Sequence, residues 1–441
     1  LHFPFAMIPS AKQLISAETH RMLTACLTAL AVAFTPAACT NASGSSPSDT
    51  SAQAATLSSE EVPPPRPPLT EGEKQFYRDV AKQSWGYMVA NTDPVTGLTK
   101  ATPDWANTTL WDVGGQLLAT LAAKDLQIIT QSEFDSRTKK LLDTVEKMEL
   151  WNGVYNKLYS TKTGAISKEG RLGWSATDLG RFLLSLKIIA QREPRHAAQA
   201  ERIVRRMNYR DVVKNGYMYG KLIGEKSGKP WSFQEGRIGY EQYSAEGFRQ
   251  WGMDVGNALN VRKNAQNVKI LGVPLYQDRR YDDRLLSEPF ILYGLELGMQ
   301  GDYLNLARNV LKAQEARYKS TGKITIATED AVAMPTHYFF YYCIYCSRKA
   351  FMVDLAETGK LLDSPRWVST KGAFGWHAIL PNTYTKQAFD FVAAARDPRK
   401  GWASGVFEDT GKSTQTFDIN TAAVLLEVAA YQMRGGRPLI Q

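Results

Sequence analysis

The chain has 441 residues, 44% hydrophobic and 22% charged, which is the balance of a soluble globular protein. Its formal net charge of +9 is spread without a dense basic block, so nothing marks nucleic acid as a partner. The length allows one large domain or about two to three average ones, and aromatic residues at 11% suit either a large core or a cleft lined with flat sugar-binding faces.

Residues 1–39 read as an export signal. A weakly basic stretch ends at Arg21, and the apolar run MLTACLTALAVAF is shorter than the about 20 residues a membrane span needs. TPAAC then places small residues before Cys39, an order that resembles a bacterial lipoprotein signal with Cys39 lipidated and anchored to a membrane. Ordinary signal cleavage is the rival, and Cys26 in LTAC is a poorer lipidation site because little apolar sequence precedes it. Residues 40–70 are a Pro/Ser-rich tether with no means of building a core. Residues 71–441 show no second linker and are expected to form one domain, a monomer in the periplasm or on the outer membrane.

Within that domain apolar residues recur mostly at helical spacing, as in QLLATLAAKDLQII, RFLLSLKIIA, ILYGLELG and AVLLEVAAYQ. Strand-like pieces such as KITIAT are short, which argues against a sheet-based fold. A loose repetition emerges: polar or aromatic residues lead into an apolar helix whose first turn carries an acid. The openings are LWDVGGQLLATLAA (Asp112), WSATDLGRFLLSL (Asp178), YEQYSAEGFRQWG (Glu241), SEPFILYGLELG (Glu288) and DINTAAVLLEVAAY (Asp418), with another expected near PTHYFFYYC (His337). Six openings predict six helical hairpins in an all-α (α/α)6 toroid with minor strands in loops, its inner helices presenting alternate ends to a common pocket. Each acid alone reads as a cap answering the helix dipole. Together, with Trp111, Trp174, Tyr240 and Tyr243 beside them, they point to a cleft.

Glycosidic cleavage normally needs two carboxyl groups. EGRIGYEQY supplies Glu235 and Glu241, a rigid fork at Arg237 and the rings of Tyr240 and Tyr243. Glu235 has a plainer reading as the residue that orients Arg237. TIATEDAV adds Glu329 and Asp330 in an expected loop, where a solvated turn is the alternative. Tyr281, Asp282, Asp283 and Arg284 read as rim residues, RKNAQNVK as solvated surface, and His337 and His377 as shell residues. Cys343 and Cys346 form one C-x-x-C with no second pair, so a zinc site lacks ligands, and they read as two cysteines of an apolar segment, with a disulfide after export as the alternative. Phosphate-loop, nucleophile-elbow and H-E-x-x-H motifs are absent.

The stretches LWDVGGQLLATLAAKDLQIIT, FDSR, LYSTKTG, GRLGWSATDLGRFL, EGRIGYEQYSAEGF, SEPFILYGLELG, STKGAFGW, GWASGVFE and INTAAVLLE resemble, in that order, the bacterial domain of unknown function 3131 across roughly residues 75–433. That family is in turn remotely similar to glucoamylase-like helical toroids, including endo-β-1,2-glucanases. The resemblance implies a general acid at Glu241 and a second acid at Glu329, with Asp330 its neighbour and Asp178 a further candidate. It implies sugar subsites lined by Asp112 and Asp178, and the residues read above as a cleft add Trp111, Trp174, Glu235, Arg237, Tyr240, Tyr243 and Glu288 to the substrate-binding set. The sequence departs from those enzymes after the glutamate helix, where WGMDVGNAL replaces a Gly-Ser-Pro-Thr-His-Pro stretch. The expectation is a glycoside hydrolase or transglycosylase acting on an envelope or extracellular polysaccharide, a β-glucan first, with no metal or cofactor implied. A non-catalytic glycan-binding protein and a polysaccharide lyase using Tyr240 and Arg237 are the alternatives.

Overall fold

The computed structural model describes residues 67–280, 282–334, 338–355 and 359–440. The export signal, Cys39, most of the tether, Tyr281 and His337 lie outside the described residues. Thirteen α-helices occur among the described residues: α1 (Glu71–Asn91), α2 (Leu110–Asp125), α3 (Gln131–Lys147), α4 (Ala176–Arg192), α5 (Ala197–Arg205), α6 (Tyr240–Gln250), α7 (Gly256–Leu259), α8 (Val261–Asn264), α9 (Glu288–Glu296), α10 (Gly301–Thr321), α11 (Thr370–Ile379), α12 (Thr383–Phe391) and α13 (Ile419–Met433). None is long and apolar enough to cross a membrane.

The helices divide by how much of their circumference is apolar. In α2 nearly every residue from Leu110 to Ala123 is buried, and α13 is buried from Thr421 to Gln432. In α3 burial falls on Phe134, Thr138, Leu141, Leu142 and Val145, one stripe of an otherwise polar helix. The set buried around most of its circumference is α2, α4, α6, α9, α11 and α13, and it closes a circuit: α2 packs on α4, α4 on α6, α6 on α9, α9 on α11, α11 on α13, and α13 back on α2. α1, α3, α5 and α12 lie against members of this circuit. Where another long covering helix would precede α9, the chain instead forms the short α7 and α8 and an antiparallel hairpin, Ala265–Ile270 with Val273–Asp278.

Glycines set the closest approach in the circuit. A Cβ on Gly180 would collide with the Ser244 backbone, and one on Gly247 with the Gly180 carbonyl, so α4 and α6 pack nearly backbone to backbone. Gly239 holds φ +90° just before α6, where a Cβ would also press on Pro289 at 2.8 Å.

Strands are more prominent than helical spacing suggests. The described part of PTHYFFYYC does not open a helix: Phe339–Cys346 is an eight-residue strand. It lies between Glu329–Ala331 and Lys349–Leu355 in a four-stranded antiparallel sheet completed by Leu361–Leu362. Its run of aromatics suits a pleated surface better than a helix, and the helix of this part of the circuit begins instead at Thr370, in STKGAFGW. Cys343 and Cys346 are buried in that strand as free thiols.

Candidate active site

The first turns of the circuit helices meet at one end, rather than alternating. Trp111 of α2 lies 5.7 Å, ring to ring, from Tyr240 of α6. Lys371 of α11 reaches Glu288 of α9 at 2.5 Å. Asp112 of α2 is within electrostatic reach of Asp418, the cap of α13, and of Asp178 of α4. The convergence gathers many N-termini, whose dipoles favour acids.

Local sequence explains how each residue is presented. Thr109 and Asp112 form a reciprocal capping box at α2. Ser175 caps α4 through the Asp178 amide, and Asp418 caps α13 through the Thr421 amide. Glu288 and Pro289 open α9, the proline at a position where its missing N–H costs nothing. Glu329 and Asp330 come from the strand paired with Phe339–Cys346, Glu329 opposite Tyr341 and Asp330 opposite Phe340.

The centre of the cluster is a lysine. Lys371 is 2% exposed and bridges Glu288 (2.5 Å) and Asp330 (3.6 Å). Burial alone would lower its pKa, but the carboxylates around it, Glu288 and Asp330 foremost, hold it above the ordinary value. Asp330 accepts from Trp367 Nε1 at 2.8 Å and Ser369 Oγ at 3.1 Å, and burial pushes its carboxyl up to about 7 despite Lys371. Glu329, beside Arg237, Lys371 and Tyr240, is also pushed up to about 7, by burial first and then by the charge of Glu288. Glu288 accepts from Thr328 Oγ1 at 3.3 Å, while its Oε1 has no hydrogen bond among the described residues. Burial raises Asp112 and Asp178 to about 6, and Asp178 is only half-buried.

Several expected site residues are engaged elsewhere. Glu241 is the second residue of α6, and its direction is set by that step around the helix: Tyr240 faces Trp111 and Glu329, while Glu241 faces the hairpin. Both its oxygens are held by Arg280, and Oε1 also accepts from Gln234 at 2.7 Å. Arg280 in turn grips Asp278 at 2.5 Å. Burial still pushes Glu241 up to about 7, against the pull of Arg280. Glu235 does not orient Arg237, although its charge reaches Asp178. Its carboxylate takes the Ala176 and Thr177 amides, both at 2.8 Å, and so caps α4 from outside the helix. Tyr243 donates to Glu296 at 2.7 Å inside the circuit, and Trp174 donates to the Tyr219 carbonyl at 3.0 Å while packing on Trp151. Both are core residues. Arg237, Tyr240, Trp111, Asp112, Asp178, Glu288, Glu329 and Asp330 remain at the convergent end.

Sequence reading missed Lys371 and Arg280. Lys371 carried a signal: it occupies, in STKGAFGW, the first-turn place that acids hold in the other helices. A cavity of about 570 Å³ between α1, α2 and α3, lined by Trp85 and Arg137 among others, holds none of the clustered acids. Among the described residues no group of three or more His, Cys, Asp or Glu forms a metal site.

This burial has a consequence for stability. Asp112, Asp178, Glu241, Glu329 and Asp330 all have folded pKa values above their ordinary ones. The folded state therefore holds protons that the unfolded chain has released, and stability falls as pH rises. Thermal melts are expected to give the highest Tm near about pH 5 and a steady decline toward about pH 8. A Tm that rises over that interval would mean the cluster is better solvated than its geometry shows.

The fold is shared with solved structures at low identity. An endo-β-1,2-glucanase from Chitinophaga pinensis, solved with sophorotriose and glucose, aligns with a TM-score of 0.61 at 13% identity over 83% of this chain and 94% of its own. A protein from Bacteroides caccae whose glucoamylase assignment is itself provisional gives 0.59 at 14%, over 82% and 94%. An endo-β-1,2-glucanase from Talaromyces funiculosus, a variant solved with β-1,2-glucan, gives 0.55 at 12%, over 83% and 85%. No curated protein matches the chain. The model of a family of proteins of unknown function, DUF3131, matches residues 79–435, and the chain belongs to that family.

Proposed function

We propose that this chain is a glycoside hydrolase on an (α/α)6 toroid, acting on an envelope or extracellular polysaccharide with a β-glucan backbone as the leading candidate. The closed circuit of buried helices supports the toroid, and the likeness to glucanase structures supports the substrate class. The observation that carries the chemistry is the pairing of unlike carboxyls around Lys371. Glu288 is ion-paired to it at 2.5 Å with one oxygen free of hydrogen bonds among the described residues. Glu329 next to it is pushed up to about 7 and keeps its proton near neutrality. A carboxyl that keeps its proton beside an ion-paired carboxylate supplies the two partners that glycosidic cleavage needs.

In this reading Glu329 protonates the glycosidic oxygen as the bond to the anomeric carbon breaks. Water adds to that carbon and gives its proton to Glu288. The role expected of Glu241 passes to Glu329 because Arg280 occupies both Glu241 oxygens. A lyase would need Tyr240 as its base, and burial raises the Tyr240 pKa well above 10, which disfavours that route. Export, with Cys39 as a lipid anchor, completes the reading.

The test is a product screen of the full-length protein on β-1,2-, β-1,3-, β-1,4- and mixed glucans and on charged envelope glycans. New reducing ends on one of them are expected. Binding without product on long incubation would replace the hydrolase with a glycan-binding protein. Fractionation of the same cells reports the anchor: lipidated chain sediments with membranes, and simply cleaved chain stays in the supernatant.

A further inference from the structure

Three other arginines of the fold grip their partners. Arg317 holds Glu408 through two bonds at 2.7 and 2.8 Å, Arg284 holds Asp354 at 2.7 Å, and Arg280 holds Glu241 and Asp278. Arg237 does not. Its guanidinium carbon sits over the Tyr240 ring, 3.7 Å from the centroid, with the Tyr341 centroid at 5.5 Å. It makes no hydrogen bond among the described residues, and its one ion pair is a 3.8 Å contact with Asp282 Oδ2. That oxygen already accepts from Arg284 Nη1 at 2.9 Å, and Asp282 Oδ1 accepts the Arg284 amide. The Arg237 side chain is only 13% exposed.

A guanidinium removed from most of its water, stacked so that it cannot swing away, and left with an idle fork is costly unless something charged completes it. The two-pronged planar edge fits a carboxylate through parallel hydrogen bonds, which a single sugar hydroxyl cannot supply. We propose that Arg237 is the anchor of an anion subsite that seats a carboxylate carried by the substrate sugar, a uronic acid unit, beside Glu329. The inference rests on the glycan reading above and narrows its substrate class. The Tyr240 and Tyr341 rings hold the guanidinium between them, and Glu329, within electrostatic reach of Arg237, places the anion next to the reacting bond.

The test is calorimetric and needs no turnover. D-glucuronate and its uncharged amide are titrated into the full chain at low salt, with glucose 6-phosphate as a parallel probe. Glucuronate is expected to bind about tenfold or more tightly than the amide, the effect of one charge-assisted pair. The preference should disappear in Arg237→Gln and survive in part in Arg237→Lys, which keeps the charge without the fork. Equal binding of glucuronate and amide by the wild type overturns the proposal whether or not any variant folds. So does a preference unchanged in Arg237→Gln. Tighter binding of glucose 6-phosphate than of glucuronate would overturn the carboxylate in favour of a phosphorylated sugar. Glucuronate preference without cleavage of any glycan would leave the subsite standing and remove the hydrolase. Cleavage of neutral glucan without the preference would do the reverse.

Discussion

Replacing Glu329 with Gln is expected to lower kcat on the polymer by about 100- to 10,000-fold, the usual contribution of a positioned general acid. Its Tm at neutral pH should be equal to or above that of the wild type. Both outcomes follow from one environment. Burial and the charge of Glu288 push Glu329 up to about 7, so it can donate a proton at neutral pH but is costly to keep ionised. Gln has the same shape without the charge. Wild-type kcat should fall as pH rises through about 7, because the donor then loses its proton. Glu241→Gln is the informative companion. It weakens the clasp on Arg280 but removes a carboxyl that burial makes costly to ionise, so it should leave Tm near the wild-type value and kcat within about tenfold. Steady-state kinetics and melts on the two variants decide the matter. Lost turnover in Glu241→Gln beside normal turnover in Glu329→Gln would return the acid to α6.

Arg181→Met is expected to give the largest loss of stability, about 3–5 kcal/mol and a Tm lower by roughly 10 °C. Arg181 extends from α4 into the middle of the circuit and is fully buried. It lies 3.5 Å from Glu427 of α13, 3.9 and 4.0 Å from Glu288 and Glu296 of α9, and 4.7 Å from the Trp111 ring of α2. One cation thus joins four helices, and methionine would leave the carboxylates facing one another. Burial already raises the pKa values of Glu296 and Glu427, and losing Arg181 raises them further. Stability tied to a raised carboxyl pKa is lost as pH rises, so the deficit should be larger at about pH 8 than at about pH 5. Adding Glu427→Gln should recover part of it. A melt of Arg181→Met matching wild type at both pH values would show that the three acids do not need the cation.

Much of the architecture can be read from residue order. The apolar runs of α2, α4, α9 and α13 are continuous enough to mark helices buried all round. Their caps, Thr109 with Asp112, Ser175 before Asp178, and Asp418, stand at the expected openings. PTHYFFYYC misled because a short aromatic run has no helical or strand period of its own. Its partners, Glu329–Ala331 and Lys349–Leu355, lie outside the window that periodicity samples.

The sequence by itself determined which segments become buried helices, where most of them start, that acids cluster at those starts, and the family. It could not determine which way a first-turn side chain points. Neighbouring positions on a helix differ by about a quarter turn, so Tyr240 and Glu241 are equivalent on paper yet face different surroundings in the fold. Only tertiary structure turned Glu241 toward Arg280, gave Glu235 to the end of α4, and set Lys371 between Glu288 and Asp330. The reason is electrostatic. A buried carboxyl is defined by the cation or amide that reaches it, and for Glu241 and Glu235 those partners lie 39 and 58 to 59 residues away in the chain, beyond any local pattern.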